Sequence, residues 1–522
     1  MLWGDKLCAV VAAADAKSMR RELRLALRHT RTVELRLDWL SGDAEITRFL
    51  GQLKRQFKRT ASRVALIATC RRRRAGGRYA GSIAMQLLHL AEAIRTGCAW
   101  YDLEIETVSE CPPQLLDVLV GEGREIRSAH FFEGMPGNLA RIAARLTRGG
   151  EAGRRGGPAR RPDAIKIAAQ CDSLAAGRKL LEFARKRRDT IAMPMGEVAL
   201  PLRFLALREG APFMYAPVEH STAPGQISLD EMEHLYRVRR FSRRTGVYGV
   251  IGNPIAHSLS PQMQNAAFEA RRVDAVYLPF LVRDLKDFVR AIGPLRIRGF
   301  SVTVPHKESI LKYLDDCDPL ARKIGAVNTV VVRGGGKLYG YNTDYVGVLR
   351  SLEHRMPLPG SRVLIVGAGG VARAVAFALA EAGASVCVYA RRVGRAKALA
   401  RVVGGRAVGR ERLCREFFDA IVNATPVGMH PDAGRSPLEP RELNCRLVFD
   451  TIYRPRVTRL LTLAARRGIG TVSGVEMFVA QGTAQWEIWT GERAPLETMR
   501  RAVIRALAAQ EKMEKESLHH RD

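Results

Sequence analysis

The stretch VYGVIGNP (residues 247–254) begins a new strand and loop near the middle of the chain, and it divides the sequence into two parts. Before it lies STAPGQ (residues 221–226), a polar and tightly turned loop. Between the two loops we expect an amphipathic helix over about residues 228–241 and a basic tether over residues 242–245. A chain of 522 residues is too long for one hydrophobic core. We therefore expect two separately organised parts that meet here.

The composition is that of a globular protein rather than a membrane or secreted one. Hydrophobic residues make up 47% and charged residues 26% of the chain. The sequence has no apolar run of bilayer length and no secretory pattern at its start, so we expect a cytoplasmic protein without membrane contact. Nine cysteines occur without a CxxC pair or zinc spacing, which favours reduced thiols and predicts no metal site.

The formal charge of +31 suggests nucleic-acid binding, but its distribution argues against that class. Residues 1–244 hold 43 Lys and Arg against 27 Asp and Glu, and residues 245–522 hold 41 against 26. A nucleic-acid surface would concentrate the excess, whereas here it is spread over both parts. We expect no nucleic acid among the partners; small anionic substrates account for part of the charge.

The first part alternates short apolar strands with helical patterns eight times. That alternation predicts a (β/α)₈ barrel over residues 1–241, with the active site at the carboxyl ends of the strands. The predicted strands cover residues 7–13, 32–38, 64–71, 100–106, 125–131, 163–169, 190–195 and 212–218.

Polar side chains recur late in these strands. Glu34, Arg36 and Asp38 alternate with leucines, so they share one face of the second strand. Lys166 is different because isoleucines flank it in the middle of a strand. Burial, together with nearby arginines, would favour a neutral amine there, and a neutral amine can attack a carbonyl.

These residues resemble the type I 3-dehydroquinate dehydratases over about residues 5–240. The resemblance implies that Lys166 forms a Schiff base with the substrate ketone and that His130 moves the proton during loss of water. The substrate-binding residues that it implies are Glu34, Arg36, Arg71, Arg203, Thr222 and Gln226.

Two features depart from the family pattern. Ala75 stands before Gly76 where the family usually has a glutamate, so we expect Asp102 or Glu104 to orient His130 instead. The stretch GGEAGRRGGP (residues 149–158) has the composition of an inserted disordered loop, at the barrel face away from catalysis.

The second part continues with strand–helix units and a set of polar loop residues. A substrate lobe is predicted over residues 246–348, completed by about residues 475–512, and a cofactor lobe over residues 349–474. Hydroxyl, amide and amine groups suit a polyhydroxylated acid, and a Lys–Asp pair can move a proton. The residues of this set are Ser258, Ser260, Thr303, Lys307, Asn328 and Asp344.

A glycine-rich turn follows a predicted strand and opens a helix, as in a Rossmann fold. Arg391 and Arg392 end the next strand, where an NAD site would usually carry a carboxylate. Two arginines favour the 2′-phosphate of NADP. The predicted cofactor-binding residues of the turn are Gly367, Ala368, Gly369, Gly370 and Ala372.

This part resembles shikimate dehydrogenase over about residues 246–512. The resemblance implies that Lys307 and Asp344 are the catalytic pair, and that Ser258 and Ser260 bind the substrate carboxylate. The resemblance further implies that Thr303, Asn328, Tyr453 and Gln481 contact the substrate hydroxyls or help to close the site. It also implies that Thr425 contacts the cofactor.

The two resemblances predict a bifunctional enzyme of the shikimate pathway. It would dehydrate 3-dehydroquinate and then reduce 3-dehydroshikimate to shikimate with NADPH. Two alternatives remain open: quinate and NAD specificity in the second part, or one part that is inactive and regulatory. We expect a monomer or a homodimer.

Overall fold

The computed structural model describes residues 5–57, 64–119, 121, 123–148, 161–187, 189–218 and 227–519. The chain divides into two compact units. The first comprises Met1–Thr245 together with Lys286–Leu295, and the second comprises Gly246–Leu285 together with Arg296–Asp522. Within the described ranges, no helix combines the length and the hydropathy needed to cross a bilayer. All nine cysteines are free thiols.

The first unit contains a parallel sheet of eight strands, in the order β7-β6-β5-β4-β3-β2-β1-β8. Helices alternate with the strands, which confirms the predicted (β/α)₈ fold. The strands are β1 Leu7–Val11, β2 Thr32–Arg36, β3 Ala65–Thr69, β4 Trp100–Glu104, β5 Arg124–Phe131, β6 Ala164–Gln170, β7 Thr190–Met195 and β8 Met214–Pro217. The helices are α1 Ala16–His29, α2 Asp43–Phe57, α3 Ile83–Arg95, α4 Ile105–Glu110, α5 Pro113–Leu116, α6 Leu139–Arg148, α7 Leu174–Arg185 and α8 Leu200–Glu209.

Side chains from the four even-numbered strands meet inside the barrel. Lys166 of β6 contacts Glu34 of β2 and Asp102 of β4, and its Nζ atom lies 4.5 Å from the ring centroid of Tyr215 on β8. A barrel interior is filled in such layers, with four side chains from alternate strands. This layer brings the functional groups of distant strands together.

Two local predictions are wrong. Strand β2 ends at Arg36, and Asp38 lies in the 3₁₀ turn Leu37–Trp39 instead of on the strand face. The single helix expected over residues 228–241 is broken into a π-helical turn, Glu231–Leu235, and a 3₁₀ turn, Val238–Arg240.

The break in this helix occurs at Arg237. Its φ of 51° is in the left-handed region, which a continuing right-handed helix cannot use. The guanidinium of Arg239 then binds the carboxylate of Asp5 at 3.0 Å. Tertiary contacts with the start of the chain therefore override the helical periodicity of this segment.

The second unit holds a mixed sheet in the order β10-β9-β11-β13-β14-β12, in which β13 is antiparallel to both neighbours. Its strands are β9 Gly246–Gly252, β10 Ala275–Leu281, β11 Ile297–Val302, β12 Asp316–Cys317, β13 Thr329–Val332 and β14 Leu338–Tyr341. The helices that go with it are α9 Ser260–Ala270, α10 Leu285–Leu295, α11 Pro319–Ile324 and α12 Thr343–Leu352. Of helix α10, Leu285 is assigned to the second unit and Lys286–Leu295 to the first.

A second sheet of this unit is wholly parallel, in the order β17-β16-β15-β18-β19-β20. Its first strand lies in the middle of the order, as in a doubly wound dinucleotide-binding fold. The strands are β15 Arg362–Val366, β16 Ser385–Tyr389, β17 Arg406–Ala407, β18 Phe418–Asn423, β19 Cys445–Asp450 and β20 Gly470–Val472. Its helices are α13 Gly370–Glu381, α14 Val393–Val402 and α15 Arg459–Arg466, and the chain returns through α16 Gly474–Thr490 and α17 Leu496–His519.

Candidate active sites

The barrel site is centred on the amine of Lys166, and this residue is only 2% exposed. Its Nζ atom donates a hydrogen bond to Oδ2 of Asp102 at 2.8 Å and lies 3.6 Å from Oε1 of Glu34. A buried ammonium is stable only when it is paired in this way. The charged groups nearest to the amine of Lys166 are thus carboxylates, whereas the sequence suggested arginines.

Each of these carboxylates is itself held by a hydroxyl. Ser128 donates to Oδ1 of Asp102 at 2.5 Å, and Thr69 donates to Oε1 of Glu34 at 2.8 Å. Burial raises the pKa of Asp102, but the positive charges of Lys166 and Arg71 outweigh it and leave this pKa below its ordinary value. Asp102 is therefore an anion that can accept a proton from the lysine only transiently.

His130, at the end of β5, is a neutral base in this environment. Burial lowers its pKa well below the ordinary value, and the charges of Arg71, Lys166 and Arg36 lower it further. Its ring stacks on Phe132, with centroids 6.1 Å apart and planes at 18°. A neutral imidazole is the form that can take a proton from carbon.

The expectation that Asp102 or Glu104 orients His130 is wrong in this structure. Nδ1 of His130 has no hydrogen-bond partner among the described residues. Asp102 binds Lys166 and Ser128, while Glu104 accepts from the backbone of Arg72 and from the side chain of Gln86.

The three arginines expected near the substrate have different surroundings. Arg36 is bound through two nitrogens to Asp38, at 2.9 and 2.8 Å. Arg71 lies 3.8 Å from the carboxylate of Asp102, and Arg203 donates to the carbonyl of Pro194. Burial lowers the pKa of Arg203 to about 10, which leaves it charged at neutral pH. The predicted residues Thr222 and Gln226, and the insertion at residues 149–158, lie outside the described residues.

In the second unit, Lys307 and Asp344 form the predicted pair. Nζ of Lys307 donates to Oδ2 of Asp344 at 2.6 Å, and Nδ2 of Asn328 donates to Oδ1 at 2.8 Å. The amide of Asn328 is held in turn, because its Oδ1 atom accepts from the backbone of Thr343 at 2.7 Å. Both oxygens of the Asp344 carboxylate, at the start of α12, are therefore bound: one by the ammonium of Lys307 and the other by the amide of Asn328.

The remaining predicted residues of this unit lie at loop ends and on helix α16. Ser258 precedes α9 and its Oγ accepts from the backbone of Ser260 at 3.3 Å, while Thr303 follows β11. Gln481 of α16 is 8% exposed and donates to the carbonyl of Phe478. Tyr453 stacks on Phe478 at 4.6 Å, which joins the loop after β19 to α16.

The turn between β15 and α13 fits a dinucleotide pyrophosphate. A Cβ atom at Gly369 or Gly370 would meet nothing within 4 Å, so the backbone faces open space. Gly367 has a φ of +121°, and a Cβ there would lie 2.8 Å from the carbonyl oxygen of Ala424. No side chain caps the start of α13, which leaves its amides available to an anion.

The other predicted cofactor residues separate into exposed and packed ones. Arg391 and Arg392 follow β16 and are exposed, so their guanidinium groups fit a 2′-phosphate. Ala372 is buried in the core of the sheet, while Ala368 packs against that core. The hydroxyl of Thr425 is engaged with Oδ1 of Asn423 at 2.7 Å, which fixes the loop after β18.

Two members of the barrel site do not stand out in the sequence. Asp102 is predicted only as a partner of His130, and Tyr215 is not predicted. The signal for both was strand position: each lies on an even-numbered strand, as Glu34 and Lys166 do, and inward residues of alternate strands share a layer.

Comparisons with known proteins match both units. A model of the type I 3-dehydroquinases matches residues 7–242, and one of the shikimate dehydrogenase substrate-binding domain matches residues 250–330. A model of the shikimate 5′-dehydrogenase C-terminal domain matches residues 474–504.

Individual proteins are also similar to this chain. An Arabidopsis thaliana protein described as a bifunctional 3-dehydroquinate dehydratase/shikimate dehydrogenase, chloroplastic, is 35% identical over 489 residues, which cover 89% of this chain and 78% of that protein. A Bacillus cereus shikimate dehydrogenase (NADP(+)) is 45% identical over 50% of this chain and 98% of its own length. A crystal structure of shikimate 5-dehydrogenase from Thermus thermophilus, in complex with NADP(H) and shikimate, is 39% identical and covers 50% of this chain and 100% of that one, with a TM-score of 0.47.

Proposed function

The chain belongs to the family of bifunctional 3-dehydroquinate dehydratase/shikimate dehydrogenases, and from this premise we propose that it performs two consecutive reactions. The first unit dehydrates 3-dehydroquinate to 3-dehydroshikimate, and the second reduces that product to shikimate with NADPH. The observation that carries the proposal is the presence of two separate lysine–aspartate pairs, Lys166 with Asp102 and Lys307 with Asp344. We further propose that the functional boundary lies at residues 241–246.

In the first reaction Lys166 attacks the substrate ketone. Asp102 relays two protons, one after the other, from the nitrogen to the departing oxygen, and the products are a protonated imine on Lys166 and one water. His130 then removes a proton from the adjacent carbon and returns it to the hydroxyl that leaves. Hydrolysis of the imine consumes one water, so the net change is the loss of one water. A bound imine is an electron sink, which is why carbon gives up its proton to a neutral imidazole.

Substrate recognition in the barrel rests on charge. We propose that Glu34, Arg36 and Arg71 face the ring hydroxyls, and that Arg203, Thr222 and Gln226 hold the carboxylate end. The positive charge that the guanidinium of Arg203 keeps at neutral pH supports this, because a guanidinium can bind a carboxylate through two hydrogen bonds.

In the second reaction NADPH supplies the hydride. Lys307 gives a proton to the substrate oxygen, and Asp344 keeps the ammonium oriented while Asn328 holds Asp344. We propose that Ser258 and Ser260 bind the carboxylate, with Thr303, Tyr453 and Gln481 around the hydroxyls. Arg391 and Arg392 favour NADP over NAD, which also disfavours the alternative of a quinate enzyme that uses NAD.

Two expectations stay predictions. The cytoplasmic location is one, and the Arabidopsis relative is described as chloroplastic. A monomeric or homodimeric state is the other.

A coupled assay tests the proposal directly. The full chain is supplied with 3-dehydroquinate and NADPH, and shikimate formation is followed together with the loss of NADPH absorbance. We expect one shikimate for each NADPH consumed. Lys166→Ala should abolish the overall flux, and added 3-dehydroshikimate should restore it. Failure of the wild-type chain to form shikimate from either substrate would contradict the proposal.

A further inference from the structure

The hydroxyl of Tyr215 is a buried polar group that the described fold does not use. Tyr215 lies on β8 and is 6% exposed, and its Oη atom has no hydrogen-bond partner among the residues that the structure describes. A buried hydroxyl without a partner destabilises the folded state, whereas phenylalanine would give the same ring without that cost. The oxygen is therefore unexplained by packing.

The position of the ring connects this hydroxyl to the reacting amine. Nζ of Lys166 lies 4.5 Å from the ring centroid of Tyr215. The aromatic face thus helps to stabilise the ammonium. Any ligand atom that reaches Nζ must also come close to the tyrosine.

Two other polar atoms of the barrel site are, like the hydroxyl of Tyr215, buried without a hydrogen-bond partner in the described part of the chain. Nε of Arg71 and Nδ1 of His130 are buried and, within the described ranges, also have no hydrogen-bond partner. Both belong to residues that the proposed function assigns to the substrate. Unpaired donors and acceptors gathered at one reacting group are typical of a site that a ligand completes.

We propose that Tyr215 is a further catalytic residue of the dehydratase, whose hydroxyl donates a hydrogen bond to the substrate oxygen on the carbon that Lys166 attacks. This inference rests on the proposed function of the first unit. The ammonium, the ketone and the products balance: the C–N bond forms, the C–O bond breaks, and two protons leave nitrogen with the oxygen as water. Tyr215 transfers no proton; it stabilises the charge that develops on the oxygen.

The protonation state of Tyr215 suits a donor. Burial raises its pKa well above the ordinary value, and the carboxylate of Glu34 raises it further. The phenol therefore remains protonated at every pH at which the enzyme works. Asp102 is an anion except while it relays a proton, so it offers the substrate oxygen no standing hydrogen bond, whereas the phenol does.

The test is Tyr215→Phe in the full chain, which deletes one oxygen and keeps the ring. Rapid mixing with 3-dehydroquinate followed by a borohydride quench measures the rate at which the imine forms on Lys166. We expect imine formation to slow roughly fivefold to tenfold, the loss typical of one neutral hydrogen bond. The unfolding midpoint should stay the same or rise, because no hydrogen bond within the protein is lost. Reduction of added 3-dehydroshikimate should be unchanged.

Tyr79→Phe is the matched control. The hydroxyl of Tyr79 is also in the first unit, but it donates to Asp43 at 3.0 Å. Its removal should lower the unfolding midpoint and leave imine formation at the wild-type rate. A wild-type rate of imine formation in Tyr215→Phe would overturn the inference, whatever the stability of the variant. Absence of dehydration in the wild-type chain would overturn the proposed function, and this inference with it.

Discussion

Nζ of Lys166 lies 2.8 Å from Oδ2 of Asp102 inside the barrel. The lysine is therefore held as one half of an ion pair until a substrate arrives. This pairing explains how a barrel interior tolerates a charged amine, since an unpaired charge there would be expensive. It also places a proton acceptor beside the atom that must lose protons to form an imine.

The first prediction concerns that ion pair. Asp102→Asn removes the negative charge and leaves Lys166 with only the more distant Glu34. Because breaking a buried pair leaves an uncompensated charge, unfolding of the first unit should become easier by about 3 kcal/mol. Chemical denaturation followed by circular dichroism measures this change, and dehydratase turnover should fall in the same variant.

Glu182→Gln is the control for this prediction. Glu182 pairs with Arg178 at 2.7 Å on the surface of α7, where such a pair contributes about 0–1 kcal/mol. Equal stability losses in the two variants would show that the Lys166–Asp102 pair has no special role.

The second prediction concerns pH. His130 must be unprotonated to act as a base, and its pKa is lowered by burial and by neighbouring positive charges. Activity is lost only as pH falls through this lowered pKa, so kcat/KM for dehydration should show no step near pH ~6.5, where an ordinary histidine titrates. Initial rates from pH 5 to 8 measure this profile.

His89→Gln is the matched control, because His89 binds Asp43 at 2.8 Å, away from Lys166. It should leave the pH profile unchanged. An acid limb centred at or above the ordinary histidine pKa would contradict the assignment of His130 as a neutral base.

Much of this arrangement was predictable, because strand periodicity and glycine-rich turns are local signals. Lys166 between isoleucines and the turn at Gly367 both follow from sequence. Their partners do not, because Asp102 is 64 positions from Lys166 and only the curled eight-stranded sheet brings the two together. The same holds for the broken segment at Arg237: its periodicity is helical, but the contact of Arg239 with Asp5 is set by the tertiary fold.

The third prediction concerns the cofactor phosphate. Arg391→Ala removes an exposed guanidinium at the end of β16. A charge-assisted hydrogen bond contributes roughly 1.5–3 kcal/mol, so NADPH binding should weaken about tenfold to a hundredfold. NADH binding should change little, because it has no 2′-phosphate. Fluorescence titration with both cofactors measures the two affinities.

Arg401→Ala, an exposed arginine further along α14, is the control and should affect neither affinity. Equal weakening of NADPH and NADH by Arg391→Ala would show that Arg391 supports the fold rather than the phosphate.

The fourth prediction concerns the second catalytic pair. Asp344→Asn removes the anion that orients the ammonium of Lys307, so kcat for reduction of 3-dehydroshikimate should fall roughly a hundredfold or more. NADPH affinity and dehydratase turnover should be unchanged, because neither involves Asp344. Steady-state assays of both half-reactions separate these effects.

Asp316→Asn tests the removal of a carboxylate elsewhere in the same unit, since Asp316 pairs with Arg322 on the surface. Its turnover should match that of the wild type. Full reductase activity in Asp344→Asn would remove Asp344 from the mechanism.

The last prediction tests the covalent mechanism most directly. Borohydride added while the chain turns over 3-dehydroquinate should reduce the imine and fix the ligand to one lysine. Peptide mass mapping should locate the adduct on Lys166, with dehydratase activity lost and reduction of added 3-dehydroshikimate retained through Lys307. An adduct on any other lysine, or full dehydratase activity in Lys166→Ala, would contradict the account.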